Sequence, residues 1–216
     1  MKKLSLMATC MVLVFSSISP IFSDELKLIQ LPKPQTDGGK PLMQVLKDRS
    51  SSREFSPKKL PIQALSNLLW AACGINRPDS GKRTAPSAVN YQEIDIYVAV
   101  NDGLYLYDAK AHMLKPILSG DIRALTGRQP FVKDAPVNLI YVADVSKMTR
   151  STNEDKDLFS AANTGCIAQN VCLFCASEGL ATVLRASIDR PALAKAMNLR
   201  PDQKIILSQT VGYPKK

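Results

Sequence analysis

Two arginines bracket three serines in Arg49-Ser50-Ser51-Ser52-Arg53, and no other stretch of this sequence is better suited to hold a phosphate. Guanidinium is a planar fork that meets phosphate oxygens bidentately, while serine hydroxyls and adjacent backbone N–H groups fill the acceptor positions left over. A compact phosphomonoester is the ligand such a segment suits. A solvated polar loop after a helix has the same composition, so the segment alone leaves both readings open. Further segments bear on the choice. Thr84 to Gln92 leads directly into a strand and places Ser87, Asn90 and Gln92 around a stiffening Pro86, small polar groups of the kind that hydrogen-bond the edge of a flat heterocycle. Ser177-Glu178-Gly179-Leu180 closes a long helical run, where glycine lets a ligand approach the backbone. Gly212-Tyr213-Pro214-Lys215-Lys216 is a turn that ends in two cations.

Other chemistries find little material. The one histidine, His112, falls in a connection between strands and is expected at the surface, which leaves no Ser-His or Cys-His system and no His-rich metal site. Cys172 and Cys175 form a C-x-x-C that reads either as a redox pair or half a zinc site, or as two small buried hydrophobes within an apolar helix. A redox pair belongs at a helix start, where the macrodipole lowers the thiol pKa, and these lie inside the run. Trp70 and Phe55 are expected in the core. The net charge of +9 is scattered, with no aromatic-basic stripe, so an anionic cofactor or substrate accounts for it better than nucleic acid.

These residues need elements to position them. Lys2, Lys3 and the short apolar run Leu4 to Phe15 read as an export signal over residues 1–23, cleaved near Ser23. Lipid anchoring at Cys10 is a poor match, and the run is too short to span a bilayer. Residues 24–40, with Pro32, Pro34, Gly38 and Gly39, form an extended N-terminal arm, and residues 41–216 one domain without repeats or linker. Leu42 to Lys47 is a short helix delivering the chain into the arginine segment. Ile62 to Cys73 has helical spacing and stops at Gly74; Asn76 to Asn90 is loop. Ile94 to Val100 alternates as a half-buried strand and turns at Asn101-Asp102-Gly103, where Asp-Gly tolerates positive φ. Leu104 to Tyr107, Met113 to Leu118, Val137 to Ala143 and Ile205 to Val211 are further strands, with helical turns at Ile122 to Leu125 and Pro191 to Met197. Leu158 to Glu178 is a long helix, small or apolar nearly all round. It is either the centre of the core or a subunit contact, and Asn163, Thr164, Gln169 and Asn170 argue against a membrane span. The fold class is α+β, with a central, mainly antiparallel sheet flanked by helices.

Taken in this order, the four segments resemble the flavin-dependent nitroreductase family: an Arg-x-Ser-x-Arg type phosphate segment, a Pro-Ser-x-x-Asn-x-Gln loop, a long interface helix ending in Glu-Gly, and a terminal Gly-Tyr-Pro. The resemblance runs from Leu42 to Pro214. It implies FMN as cofactor, with Arg49, Ser51 and Arg53 on its phosphate and Ser50 adding a hydroxyl. It places Pro86, Ser87 and Asn90 along the isoalloxazine, and Glu178 and Gly179 offering backbone N–H to its reactive side. Lys215 and Lys216 stand where members supply further basic residues. It also implies a homodimer sharing the site. The activity implied is a two-step exchange, from NAD(P)H or another reduced donor to a nitroaromatic, quinone or other small organic acceptor. The alternatives on the same fold are a substrate-specific flavin dehydrogenase or dehalogenase, or an exported flavin-binding protein without turnover; a thiol redox protein using Cys172 and Cys175 is a third class.

Overall fold

The computed structural model describes residues 26–215, so the expected export signal with Cys10 and Ser23, and Lys216 at the other end, lie outside the described residues. The arm is extended and stitched to the domain. Its strand β1 (Ile29–Gln30) pairs with a later edge strand, and Leu31 enters the core. Gln63 and Ser66 side chains donate to the carbonyls of Lys33 and Pro32.

Helix α1 (Leu42–Asp48) is followed by the arginine segment and the short strand β2 (Phe55–Ser56). Pro61 precedes α2 (Ile62–Cys73), which buries Leu65, Leu68, Leu69 and Ala72, the i, i+3, i+4, i+7 face its sequence predicts. Gly74 ends it in extended rather than left-handed backbone. Glycine is required there because a Cβ would sit 2.4 Å from Trp70 Cδ1. The stretch expected to be loop contains a small ribbon, β3 (Ile75–Arg77) against β4 (Lys82–Arg83), whose strands are too short to show a period.

Strand β5 (Ile94–Val100) turns through Asn101-Asp102 into β6 (Gly103–Asp108), with Val100 opposite Gly103. No residue of that turn has positive φ, contrary to expectation. Gly103 is needed for space instead, since a Cβ would meet Leu26 Cδ1 at 2.3 Å and the Leu118 carbonyl at 2.6 Å. Then come β7 (Met113–Ser119), β8 (Val137–Asp144), α3 (Asn153–Glu178), β9 (Ala181–Arg185), α4 (Arg190–Ala196) and β10 (Gln203–Pro214). The eight-stranded sheet runs β1-β7-β6-β5-β8-β10-β2, with β9 also on β10, and every pairing is antiparallel. Helices α2 and α3 cover one face against Ile94, Ile96 and Val98; Leu193 and Met197 cover the other against Tyr97 and Ala99. Strand β5 is therefore buried on both faces, not one.

Helix α3 starts five residues earlier than its apolar run suggests, at a reciprocal Thr152–Asp155 capping box. One face, with Asn163, Ile167, Ala168, Val171 and Cys175, is buried, while Leu158, Ala161, Ala162, Gly165, Cys166 and Gln169 are exposed. It is not the centre of the core. By length and composition alone α3 could cross a bilayer, yet Asn163 and Asn170 tie it to Glu93 and to the Ala71 carbonyl within the domain.

His112 is not a surface residue. Its Nδ1 lies 3.0 Å from the Tyr107 hydroxyl, and its Nε2 lies 2.8 Å from Ser66 Oγ and 3.2 Å from the Pro32 carbonyl. Ser66 gives its own proton to Pro32, so the network assigns the hydrogen to Nε2 and makes Nδ1 the acceptor. Burial holds the imidazole pKa below its ordinary 6.5, opposed by the Pro32 carbonyl. As pH falls, the unfolded chain takes the proton first. This contribution is complete above the ordinary histidine range and is lost as pH drops through it. Thermal melts between about pH 8 and pH 5 should show a shallower acid-side fall for His112→Gln than for the natural chain, with about 1–3 kcal/mol lost at neutral pH. Parallel curves would remove His112 from this account.

Candidate active site

Irregular, exposed backbone carries Arg49, Ser50, Ser51 and Arg53 between α1 and β2. Two anchors fix it. The Ser52 N–H donates to the Thr182 carbonyl at 2.9 Å, and Ser52 Oγ accepts from the Glu54 N–H at 3.4 Å. Ser52 is thus internal to the segment, leaving Ser50 and Ser51 as its outward hydroxyls. Neither Arg49 nor Arg53 forms an ion pair among the described residues. The end of β10 runs alongside, with Tyr213 opposite Ser56 and Pro214 opposite Phe55, and the Lys215 N–H reaches the Glu54 carbonyl at 3.4 Å. Lys215 therefore belongs to the same cationic edge. Phe55 is buried, as expected.

The Pro86 loop is built differently from the expectation. The Ser87 hydroxyl donates to Glu93 Oε2 at 3.2 Å and accepts from the Gln92 N–H at 2.8 Å, so it faces inward and is engaged. Asn163, from α3, donates to Glu93 Oε1 at 2.8 Å and accepts from the Ala88 N–H at 3.1 Å. Glu93 is 0% exposed. Above this clamp Val89, Asn90 and Gln92 all have positive φ, which is strained for any side chain and most of all for β-branched Val89. Asn90 is exposed; its Oδ1 accepts from Gln92 Nε2 at 3.0 Å, and Gln92 Oε1 accepts from Arg83 Nε at 2.8 Å. Pro86 is exposed beside it.

Gly179 ends α3 in the left-handed region, at φ 68. Its N–H and that of Leu180 both donate to the Cys175 carbonyl, so Gly179 has no N–H to offer a ligand, and Glu178 is the last helical residue. The Glu178 carboxyl is exposed and accepts from Ser177 Oγ at 3.4 Å. Arg49 stands near Cys172, and the Thr182 carbonyl holds the Ser52 N–H, so the arginine segment, Lys215 and the Glu178 end of α3 share one end of the molecule. The Pro86–Asn90 loop is pinned at Asn163, fifteen residues back from Glu178 and roughly 22 Å along the helix axis. Arg49, beside Cys172, is nine residues from Asn163, about 14 Å along the axis, and no backbone hydrogen bond among the described residues joins its segment to the Pro86–Asn90 loop.

A family model described as the Nitroreductase family matches residues 46–213. The chain belongs to the Nitroreductase family. A nitroreductase-like protein of Methanocaldococcus jannaschii is 34% identical over 152 residues, 66% of this chain and 76% of that protein. A solved nitroreductase-like structure from Ralstonia eutropha JMP134 is 44% identical, with a TM-score of 0.85 over 90% of this chain and 92% of its own. Another, from Desulfovibrio desulfuricans and in complex with FMN, shares the fold at 22% identity and a TM-score of 0.59, covering 83% of this chain and 89% of its own. The α+β fold with a central antiparallel sheet is the expected one.

Within this nitroreductase-family oxidoreductase, the cysteines make a poor redox pair. Cys175 is fully buried and its thiol is pushed well up by desolvation; Cys172 is pushed up by burial, against Gln209 and Arg49. Both thiols are held in the unreactive, protonated form. Two features of the site were missed in the sequence. Glu93 and Asn163 form the clamp, and its signal is an acid heading an apolar strand and an amide in a helix without a polar face. Arg185, 4% exposed, is held by the Thr126 carbonyl at 2.8 Å, Asn138 Oδ1 at 3.0 Å and Thr210 Oγ1 at 3.0 Å, and desolvation lowers its pKa to about 10. It braces the C-terminal end of β9, the strand whose other end carries Thr182.

Proposed function

We propose that this protein is an FMN-dependent oxidoreductase that passes electrons from NAD(P)H or another reduced donor to a nitroaromatic, quinone or other small organic acceptor, in two half-reactions. The observation that carries the reading is the pair Arg49 and Arg53: exposed residues with no ion-pair partner among the described residues, beside the exposed Ser50 and Ser51 and flanked by Lys215. That donor set fits a phosphate dianion. FMN, when bound, supplies the electron exchange. The chain's part is to bind and orient: the arginines hold the phosphate end, while Pro86 and the Asn90 amide flank the ring edge. Lys216 remains a proposed contributor.

The separation of the two halves along α3 supports a two-fold dimer in which one copy's arginines meet the other copy's Pro86 loop. The exposed apolar residues of α1, Met43 (76%) and Leu42 (62%), together with Leu158 of α3 (62%) and Val89 (63%), supply the surface such a seam would bury. Export, read from residues 1–23, is part of the proposal. The purified chain should run as a dimer, release FMN on denaturation, bleach with a reductant and regain its colour with a quinone faster than free flavin does. A colourless preparation that takes up no added FMN would overturn this; bound FMN without faster reoxidation would leave a flavin carrier.

A further inference from the structure

A cavity of about 900 Å³ opens between the N-terminal arm, the β3–β4 ribbon, the C-terminal end of α2 and the β6–β7 connection. No residue from Arg49 to Arg53 lines it. Its charge is one-sided: Lys33, Arg83 and Lys110 stand on its wall, with no Asp or Glu among them. Neither lysine forms an ion pair among the described residues. Arg83 is held rigidly, donating through Nε to Gln92 Oε1 at 2.8 Å and through Nη1 to the Cys73 carbonyl at 3.0 Å. The Cys73 thiol lies beside the guanidinium, but Nη2 meets no oxygen acceptor among the described residues and is not an orphaned buried atom, so it is left to face the opening. A guanidinium fixed in this way loses little freedom on meeting an anion.

The rest of the wall is apolar. Trp70 donates its Nε1 to the Ile75 carbonyl at 3.2 Å, which leaves the indole to present π surface, and Leu31 and Pro34 face the same space. His112 contributes no polar contact, because the network around Ser66 and Tyr107 already engages both its nitrogens. The volume lies in the range of small-molecule sites, and a few convergent polar groups on an apolar wall are their usual make-up. We propose that this cavity binds a small aromatic carboxylate, with its ring against Trp70, its carboxylate on Arg83 Nη2, and Lys33 and Lys110 neutralising the charge.

Trp70 is the only tryptophan of the chain, so its fluorescence reports directly on this wall. The purified protein is titrated with benzoate, benzyl alcohol and inorganic phosphate. Benzoate should give a saturable change at least about tenfold tighter than benzyl alcohol, because only the anion engages the held donor. Phosphate alone should leave the indole signal unmoved. Trp70 also borders two smaller clefts toward Ser177, so location rests on the lysines. Lys33→Gln/Lys110→Gln, at exposed positions free of ion pairs among the described residues, should weaken benzoate about fivefold without changing the melting temperature. Arg83→Gln should weaken it further. Equal affinity for benzoate and benzyl alcohol, a phosphate response matching that of benzoate, or a lysine variant that binds benzoate as tightly as the natural chain would each overturn the proposal.

Discussion

Replacing Arg49 and Arg53 by alanine should lower FMN affinity by roughly two to four powers of ten, on the basis of about 1.5–3 kcal/mol for each hydrogen-bonded charge removed. The fold should be indifferent, since both side chains are exposed and neither is in an ion pair among the described residues. The variant should therefore melt within about 0.5 kcal/mol of the natural chain when both are stripped of flavin. That combination, lost cofactor with intact stability, separates a binding role from a structural one. Lysine at both positions keeps the charge but not the fork, and should fall between. Binding read by flavin fluorescence quenching decides the matter. If the double alanine variant holds FMN within a factor of three of the natural chain, the phosphate is gripped elsewhere and the assignment of these residues is wrong.

How far the site was readable from residue order differs between its halves, for a physical reason. The arginine segment is local: its donors are consecutive, they stay exposed, and the structure leaves them where a one-dimensional reading puts them. The helix over Ile62 to Cys73 was equally legible because a burial face of period 3.6 needs no distant partner to be recognised. The Pro86 loop was misread at Ser87 because that hydroxyl is taken by Glu93 and the Gln92 N–H, and Glu93 is in turn held by Asn163, from a helix more than sixty residues on. Gly179 shows the same limit. Its residue type marked the end of the helix, but whether its N–H is free depends on how the last helical turn closes. His112 looked like a surface residue because nothing local marks Ser66 and Tyr107 as its neighbours. Strand β5 looked half-buried because Asp95, Tyr97 and Ala99 alternate with apolar residues, and α4, which covers that face, is nearly a hundred residues away.

Asn163→Leu should be the most damaging single change near the site. It orphans Glu93 Oε1 and the Ala88 N–H together, at about 1–3 kcal/mol for each unpartnered group. A chain of this size loses roughly 2–4 °C of melting temperature per kcal/mol, so the drop should be plain in a thermal melt. The second change in the cycle distinguishes packing from positioning. In Glu93→Leu/Asn163→Leu both carriers of the buried pair become apolar, and much of the stability should return, as it does when a buried polar pair is replaced whole. Flavin affinity should not return. With Glu93 gone, nothing accepts from Ser87 Oγ, the Ala88 N–H stays unpartnered, and Val89, Asn90 and Gln92 are free to relax from positive φ. Asn90 then no longer stands where its amide can meet the ring edge, and FMN should bind about tenfold more weakly in a chain that melts nearly normally. Recovery of stability and flavin affinity in parallel would mean that Glu93 only fills space, and that the strain above it has no part in holding the cofactor.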